Sequence, residues 1–474
     1  MLRSRWSTLA VLSVAQFMVV LDVTIVNVAL PDIRAGLGFS AEDLQWVISA
    51  YTLLFGGFLL LGGRAADLLG RRRLFIAGLA IFGIASLAAG LSWSPGSLIA
   101  ARAVQGLGGA LLSPAALSIL TVTFAHGRER NIAMGVWGAL AGLGGTLGVV
   151  AGGVIVDALG WEWVFIVNVP VALAVVAITP LIVRESRAPE AARGFDLAGA
   201  LLGTAGVLAL VFGVIRAEPL GWGDPEVLGL FAGAAALLAA FIAVEARVAS
   251  PLVPLRLFRS RGLTTASLGL GLNGSAFLGM FFLTAIFLQG VRGESALSAG
   301  LEFLPMGIAA IAGATVASAL VTRIGTRPVF VSGSLFNVVA LWMISRAGAD
   351  GSYLTELMPG FILFGFGITQ VAVSNQIAAI AEVRHEEAGA ASGVVTAAFQ
   401  IGGALGLAVI TTLANSRTVD AVAHGASQSS ALVEGFQHGL VIAAVMAAAN
   451  LLVALASPRI APTAEQLAEA AAAA

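Results

Sequence analysis

The chain reads as an all-α polytopic membrane protein, with two six-helix bundles and two helices inserted between them, fourteen transmembrane helices in all. Three observations predict this. Fourteen apolar stretches, each long enough to cross a bilayer, take up most of the 474 residues. A hydrocarbon core of about 30 Å needs about 20 helical residues, and only helices or closed barrels leave no backbone group unpaired there. Arginine is strongly biased between alternate loops, and two segments of the first half recur in the second.

The spans are predicted at 7–30, 42–62, 74–93, 97–123, 131–156, 164–183, 195–215, 227–245, 262–288, 299–321, 328–346, 356–381, 389–414 and 434–456. The first is too long for the apolar core of a cleaved leader and has no cleavage site after a short run, so it reads as a helix. With the N-terminus placed inside, nineteen of the 25 arginines fall in inner segments. Arg34, Arg216, Arg292, Arg346 and Arg417 fall outside, and Arg102 lies within a span. Cytoplasmic loops collect arginine, so both termini are expected in the cytoplasm and the number of spans is expected to be even.

The repeat covers two blocks. Residues 62–78 align with 317–333, matching Gly70, Arg72, Phe75 and Gly78 to Gly325, Arg327, Phe330 and Gly333. Residues 129–148 align without a gap to 387–406, matching Glu129, Gly135, Gly144, Gly145 and Gly148 to Glu387, Gly393, Gly402, Gly403 and Gly406. The expected domains are 1–194 and 262–460 as six-helix bundles, 195–261 as the inserted pair with its linkers, and 461–474 as a frayed or disordered Ala/Glu-rich tail. Parallel repeats of this kind build transporters.

Composition excludes several other classes. Charged residues make up 11% of the chain and hydrophobic ones 58%, against about 25% charged in soluble domains. A net charge of −1 gives no nucleic-acid footprint. With no cysteine, and four histidines lacking ligand spacing, no metal site is expected. No cluster of nucleophile and acid/base groups marks an enzyme.

Charge inside a bilayer costs about 2.5–3.5 kcal/mol on insertion scales, which singles out Asp22 and Arg102. Asp22 lies about 12 Å from the outer end of span one and Arg102 about 7 Å from that of span four, so the two can share one layer. Asp22 suits a proton carrier or the counter-ion of a cationic substrate; the plainer role is a structural pair that fixes helix packing. Glu302, near the outer end of span ten, is a third candidate for proton coupling or substrate. Asn27, Gln45, Trp46, Tyr51, Gln105, Asn273, Gln289, Gln370, Asn375 and Gln400 are cavity candidates, and Gln376 is a further polar group within the spans. Any one of them can equally be an interhelical hydrogen-bonding group.

The segment 62–73 reads as a loop at the cytoplasmic end of span two. Gly63 and Gly70 permit close approach, and Asp67 can meet Arg71, Arg72 or a helix N-terminus in one conformation only, forming a cytoplasmic gate. In the second copy Thr322 stands where Asp67 does. Span five carries Gly138, Gly142, Gly144, Gly145, Gly148, Gly152 and Gly153. Small residues at this spacing let helix backbones touch, and the glycine face is expected at the interface between the bundles.

These segments together resemble the major facilitator superfamily, and within it the fourteen-span drug:proton antiporters. LDVTIVNVALPDI (21–33) resembles the first-helix signature, QWVISAYTL (45–53) the second helix, GGRAADLLGRRR (62–73) the loop motif, ARAVQGLGGALLSP (101–114) the fourth-helix motif with its buried arginine, and GTLGVVAGG (145–153) the fifth-helix antiporter motif. Val149 stands where that last motif usually has proline, and Leu68 where the loop motif usually has arginine. The resemblance implies a proton-driven exporter of small hydrophobic or cationic compounds, multidrug or antibiotic efflux by alternating access. It implies coupling through Asp22 tuned by Arg102, a monomer in the bacterial plasma membrane among lipid, and no cofactor beyond the proton gradient. The alternatives are a same-fold transporter of a neutral or anionic metabolite, and a lipid-handling membrane protein.

Overall fold

The computed structural model describes residues 4–460 apart from 41–42, 125–126, 188–195, 249–250, 382 and 384–387. The expected tail from Ala461 and the repeat residue Glu387 lie outside them. The helices are α1 (Arg5–Leu37), α2 (Trp46–Leu69), α3 (Arg71–Gly90), α4 (Pro95–Thr123), α5 (Gly127–Leu159), α6 (Trp163–Ile166), α7 (Asn168–Ile182), α8 (Leu197–Leu220), α9 (Pro225–Glu245), α10 (Arg261–Ile286), α11 (Ala296–Glu302), α12 (Leu304–Ile324), α13 (Thr326–Ile344), α14 (Met358–Ala381), α15 (Ala388–Ala423) and α16 (Gln428–Ala456). There is no strand among the described residues. Among the described residues thirteen helical segments are long and apolar enough to cross a membrane; α5 runs for 33 residues, with Leu147–Leu159 a shorter apolar stretch within it.

Each predicted span falls on one helix or on two consecutive ones. Spans six and ten are broken, at Val167 and Phe303. Proline explains both breaks. Pro170 and Pro305 cannot donate to the carbonyls four residues back, so the first turns of α7 and α12 begin anew. Several helix ends run further than expected. The α1 helix continues past Pro31 and stops at Gly38, whose φ of 70° is left-handed. The segment 62–73 is a loop only at Gly70. The α2 helix runs to Leu69, because nothing breaks it before Gly70 takes a φ of 114°. The start of α4 is capped: Ser94 and Ser97 form a reciprocal box ahead of it, with Pro95 in its first turn.

The chain divides into two compact units. The first holds Met1–Leu210, Phe231–Leu252 and Ser295–Leu301; the second holds Val211–Leu230, Val253–Glu294 and Glu302–Ala474. Contacts thus distribute the inserted helices α8 and α9 between the units. In the first unit an apolar core of Leu12, Phe75, Phe82, Leu120 and their neighbours joins α1 to α4. Glycine lets α4 touch its partners. A Cβ on Gly106 would lie 2.3 Å from the Tyr51 carbonyl oxygen of α2, and one on Gly108 would lie 2.7 Å from the Phe82 nitrogen of α3.

The repeat recurs as geometry. In the first unit the Thr24 hydroxyl donates to the Gly144 carbonyl at 3.3 Å; in the second, the Ser275 hydroxyl donates to the Gly402 carbonyl at 2.7 Å. Gly144 and Gly402 are the partners that the sequence alignment matched.

Candidate functional site

Asp22, fully buried on α1, is the centre of a polar cluster in the first unit. Arg102, 1% exposed on α4, places Nη1 at 2.6 Å from Asp22 Oδ2. The same Nη1 donates to Gln105 Oε1 at 2.6 Å, and Arg102 Nε donates to the Val47 carbonyl at 2.9 Å. Gln105 Nε2 donates to Asp22 Oδ1 at 2.8 Å and to Ser86 Oγ at 2.8 Å. Asn168 Nδ2 completes the shell, donating to Asp22 Oδ1 at 2.9 Å. The guanidinium lies 4.3 Å from the Tyr51 ring centroid and 5.7 Å from that of Phe165.

Sequence explains each placement. Arg102 and Gln105 are three apart, so α4 presents both on one face. Asn168 starts α7, where the break before Pro170 lets its amide turn toward α1. Both carboxylate oxygens accept from nitrogen donors on α4 and α7, and an aromatic wall of Tyr51 and Phe165 excludes water from the guanidinium. A charge this deep is tolerable only when paired and hydrogen-bonded. A second cation reaches the carboxylate only if Arg102 moves.

The remaining candidates are scattered. Asn27 is buried and donates to the Val23 carbonyl of its own helix at 2.8 Å, leaving Oδ1 without a partner. The Tyr51 hydroxyl is likewise buried and unpartnered. Gln45 is buried next to half-buried Trp46. In the second unit Asn273 Nδ2 donates to the Ile368 carbonyl at 3.1 Å and its Oδ1 accepts from Asn337 Nδ2 at 3.3 Å. Gln370 accepts from the Ser332 hydroxyl at 2.7 Å, and Asn375 donates to the Val371 carbonyl at 2.9 Å. Gln289 sits in a π-helical segment, Phe287–Val291. Gln400 is half-buried on α15, whereas Gln376 is exposed. Glu302 lies beside Glu294, has its backbone carbonyl bonded by the Tyr353 hydroxyl at 2.7 Å, and keeps Oε2 unpartnered. No group of His, Cys, Asp and Glu able to hold a metal occurs among the described residues.

The gate segment has a partner the sequence reading missed. Glu185, just after α7, accepts from the backbone nitrogens of Arg72 at 3.1 Å and Arg73 at 3.2 Å. Their guanidiniums approach the same carboxylate at 3.8 Å. Arg71 N donates to the Ser186 carbonyl at 3.0 Å. Glu185 therefore caps α3, and a Cβ on Gly70 would meet its carboxylate at 2.9 Å. The side chain of Asp67 is outside the described residues. Gly63 only touches Pro114, at 3.6 Å from its ideal Cβ, and Thr322 is turned to the Ala319 carbonyl of its own helix. Asn168 and Ser86 were the other omissions. Each is a lone polar residue in an apolar run, which is the one signal the sequence offered.

The glycines of α5 also find a different neighbour. Gly144, Gly148 and Gly152 pack against Val20, Thr24 and Ile25 of α1 within the first unit. Small residues predict close approach but do not name the helix approached. Gly153 alone of the four lies against Ala296 and Leu297.

Fold and cluster together define a helical membrane protein with a buried ion pair, and comparison with known proteins assigns the family. Residues 12–407 match the Major Facilitator Superfamily, and the chain belongs to it. It is 41% identical over 451 residues to the puromycin resistance protein pur8 of Streptomyces alboniger, covering 94% of this chain and 89% of that protein. It is 38% identical to the tetracenomycin C resistance and export protein of Streptomyces glaucescens, covering 88% and 78%. A bacterial homolog of the human lysosomal transporter Spinster shares the fold, with a TM-score of 0.69 at 17% identity over 97% of this chain and 99% of that one.

Proposed function

We propose that this transporter exports small hydrophobic or cationic compounds, antibiotics among them, in exchange for protons. The direction and substrate class rest on its relatives, named for resistance to and export of puromycin and tetracenomycin C. Proton coupling rests on one observation: a fully buried carboxylate, Asp22, bound by donors from α4 and α7. A proton delivered there removes the charge that Arg102 pairs with. The protonated oxygen now carries a donor where it accepted one, so at least one of the three donors must turn away, and loading Asp22 re-sets the contacts of α1 with α4 and α7. Proton and cationic substrate compete through that rearrangement, and alternating access follows from it. Glu302, with its free oxygen beside Glu294, is the second carboxylate available for a proton. Asn27, Tyr51 and Asn337 offer unpartnered polar atoms to a substrate.

The same reading places fourteen spans in a bacterial plasma membrane, six, two and six, with both termini cytoplasmic on the arginine count of nineteen to five. Gly70, Glu185 and the arginines at the start of α3 then form the cytoplasmic latch, and the protein works as a monomer with no cofactor. A reporter fused after Ala474 is expected to read cytoplasm. The functional test is efflux of a cationic dye from intact cells, with uptake into inverted vesicles driven by an imposed pH gradient. Asp22→Asn should abolish the gradient-driven part while protein still reaches the membrane. Undiminished gradient-driven transport in that variant removes Asp22 from the coupling.

A further inference from the structure

Two adjoining concavities in the second unit have the chemistry of one amphiphile. The first is a recess of about 410 Å³ at the C-terminal end of α13 and the N-terminal end of α16. Arg346, Arg417, Gln437 and His438 are among the groups that line it. Arg417 is paired with Glu434 at 2.7 Å. Arg346 is exposed, and its guanidinium faces the Trp342 ring at 5.3 Å with no carboxylate partner among the described residues. The recess therefore carries an uncompensated positive charge.

The second is a groove of about 450 Å³ lined only by Val338, Val339, Trp342, Val441, Ala444, Val445 and Ala448. Trp342 and Val441 line both, so recess and groove adjoin. The register accounts for this. Residues 338, 339 and 342 of α13, with 345 and 346 in the turn just past its end, lie on one side; on α16, residues 437, 438, 441, 444, 445 and 448 share one helical face. Each face is polar at the shared end and apolar beyond it, and alanines at 444 and 448 leave the groove its depth. From Gln437 to Ala448 the helix rises about 16 Å, close to the thickness of one leaflet, half of about 30 Å.

We infer that this face of α13 and α16 binds an anionic phospholipid, with its phosphate at Arg346 and an acyl chain along the groove. The arginine count puts Arg346 on the outer side, so the lipid is one of the outer leaflet; an arginine guanidinium binds phosphate through charge-assisted hydrogen bonds, and tryptophan is favoured at head-group depth. Charge complementarity selects the head group, and the leaflet-long apolar floor selects a lipid over a free anion.

Native mass spectrometry of the full-length protein in detergent tests this, with added phosphatidylglycerol or phosphatidylcholine of identical chains. Wild type is expected to retain phosphatidylglycerol in preference. Arg346→Ala should lower that retention about tenfold, the loss of one charge-assisted hydrogen bond, and leave phosphatidylcholine unchanged. Ala444→Phe, which closes the groove and keeps the charge, should lower retention of both lipids. Both positions lie on the outside of the bundle, so circular dichroism should match wild type. Equal retention of the two lipids by wild type, or undiminished phosphatidylglycerol on Arg346→Ala, would overturn the inference. So would complete displacement by inorganic phosphate together with no effect of Ala444→Phe, which would leave a site for a free anion only.

Discussion

The two copies of the repeat keep the same backbone contacts and fill the same central position with opposite chemistry. The hydroxyl contacts of Thr24 with Gly144 and Ser275 with Gly402 set the register of α1 against α10. Asp22 and Asn273 each stand two residues before those hydroxyls. The glycine contacts of Gly106 with the Tyr51 carbonyl and Gly365 with the Met306 carbonyl set α4 against α14. Arg102 and Phe361 each stand four residues before those glycines. An ion pair in one copy is therefore an amide and a phenyl ring in the other. There Asn273 bonds to Asn337 and to a carbonyl, while Phe361 stacks on Phe303 with centroids 5.2 Å apart. The second copy demonstrates that this helix packing closes without charge. A purely structural role does not explain why the first copy carries a buried pair that a hydrophobic filling often equals in stability.

Transplanting the second copy's chemistry into the first tests that lesson most severely. Arg102→Ala leaves Asp22 buried with its counter-ion gone, and should cost about 3–5 kcal/mol, read as a large loss of folded protein after heating in detergent. The double change Asp22→Asn with Arg102→Phe should recover most of that loss, because Tyr51 and Phe165 already offer a ring its neighbours. Transport driven by a pH gradient should remain absent in the double variant. A double variant as unstable as Arg102→Ala would mean the pair is required for folding, and the comparison would break.

The reverse transplant should be smaller in scale. Asn273→Asp puts a carboxylate against the Ile368 carbonyl with only the Asn337 amide to donate. An under-satisfied buried charge of this kind should cost about 2–4 kcal/mol, with no gain in proton coupling. A stable variant with altered pH dependence of transport would show that the second copy can carry protons, and would put Glu302 in a new light.

The shared glycines should respond alike in the two copies. A Cβ on Gly106 would sit 2.3 Å from the Tyr51 oxygen, and one on Gly365 would sit 2.1 Å from that of Met306. Each alanine variant should lose about 1–3 kcal/mol by forcing helices apart. Gly229→Ala, in the interior of α9 with open space around it, should cost nothing and gain up to about 1 kcal/mol of helix propensity. A wide difference between the Gly106 and Gly365 variants in thermal stability would mean the copies are packed on different principles.

The fold was legible because length and apolarity alone decide what crosses a bilayer, and because the repeat left identical glycines at fixed separation. Where helices end was not, since Pro31 interrupts nothing and Gly70 interrupts everything; that depends on φ, which composition does not give. The charged half of the site was legible: Asp22 and Arg102 were isolated charges in apolar helices at compatible depths, and they pair at 2.6 Å. Its neutral half was not. Asn168 lies 146 positions from Asp22 in sequence, and an amide in an apolar run has the same signature whether it meets a carboxylate or a backbone carbonyl. Span five shows the same limit, since its glycines promised a close neighbour without choosing α1.

The smallest expected effect concerns how each copy holds the start of its third helix. In the first, Glu185 caps α3 through the nitrogens of Arg72 and Arg73, and Arg72 Nη1 donates to the Val183 carbonyl at 3.3 Å. In the second, Thr326 N donates to the Ile460 carbonyl at 3.4 Å, and the Arg327 guanidinium bonds the Leu455 carbonyl. The arginine-to-carbonyl contact is common to both copies, and among the described residues the carboxylate is the first copy's own. Glu185→Gln keeps the side chain's size and one acceptor oxygen but removes the charge facing the helix dipole and two guanidiniums. Such a charge is worth about 0.3–1 kcal/mol at low ionic strength, and the carboxylate's 24% side-chain exposure lets salt screen it. Melting points in detergent should therefore differ by a small margin in dilute buffer and converge in concentrated salt. If the contact also latches one conformation, turnover should change more than substrate affinity, since about 1.4 kcal/mol moves a two-state balance tenfold. Identical melting at low salt together with unchanged turnover would make Glu185 a spectator and leave Arg71 to Arg73 with the single task of fixing topology.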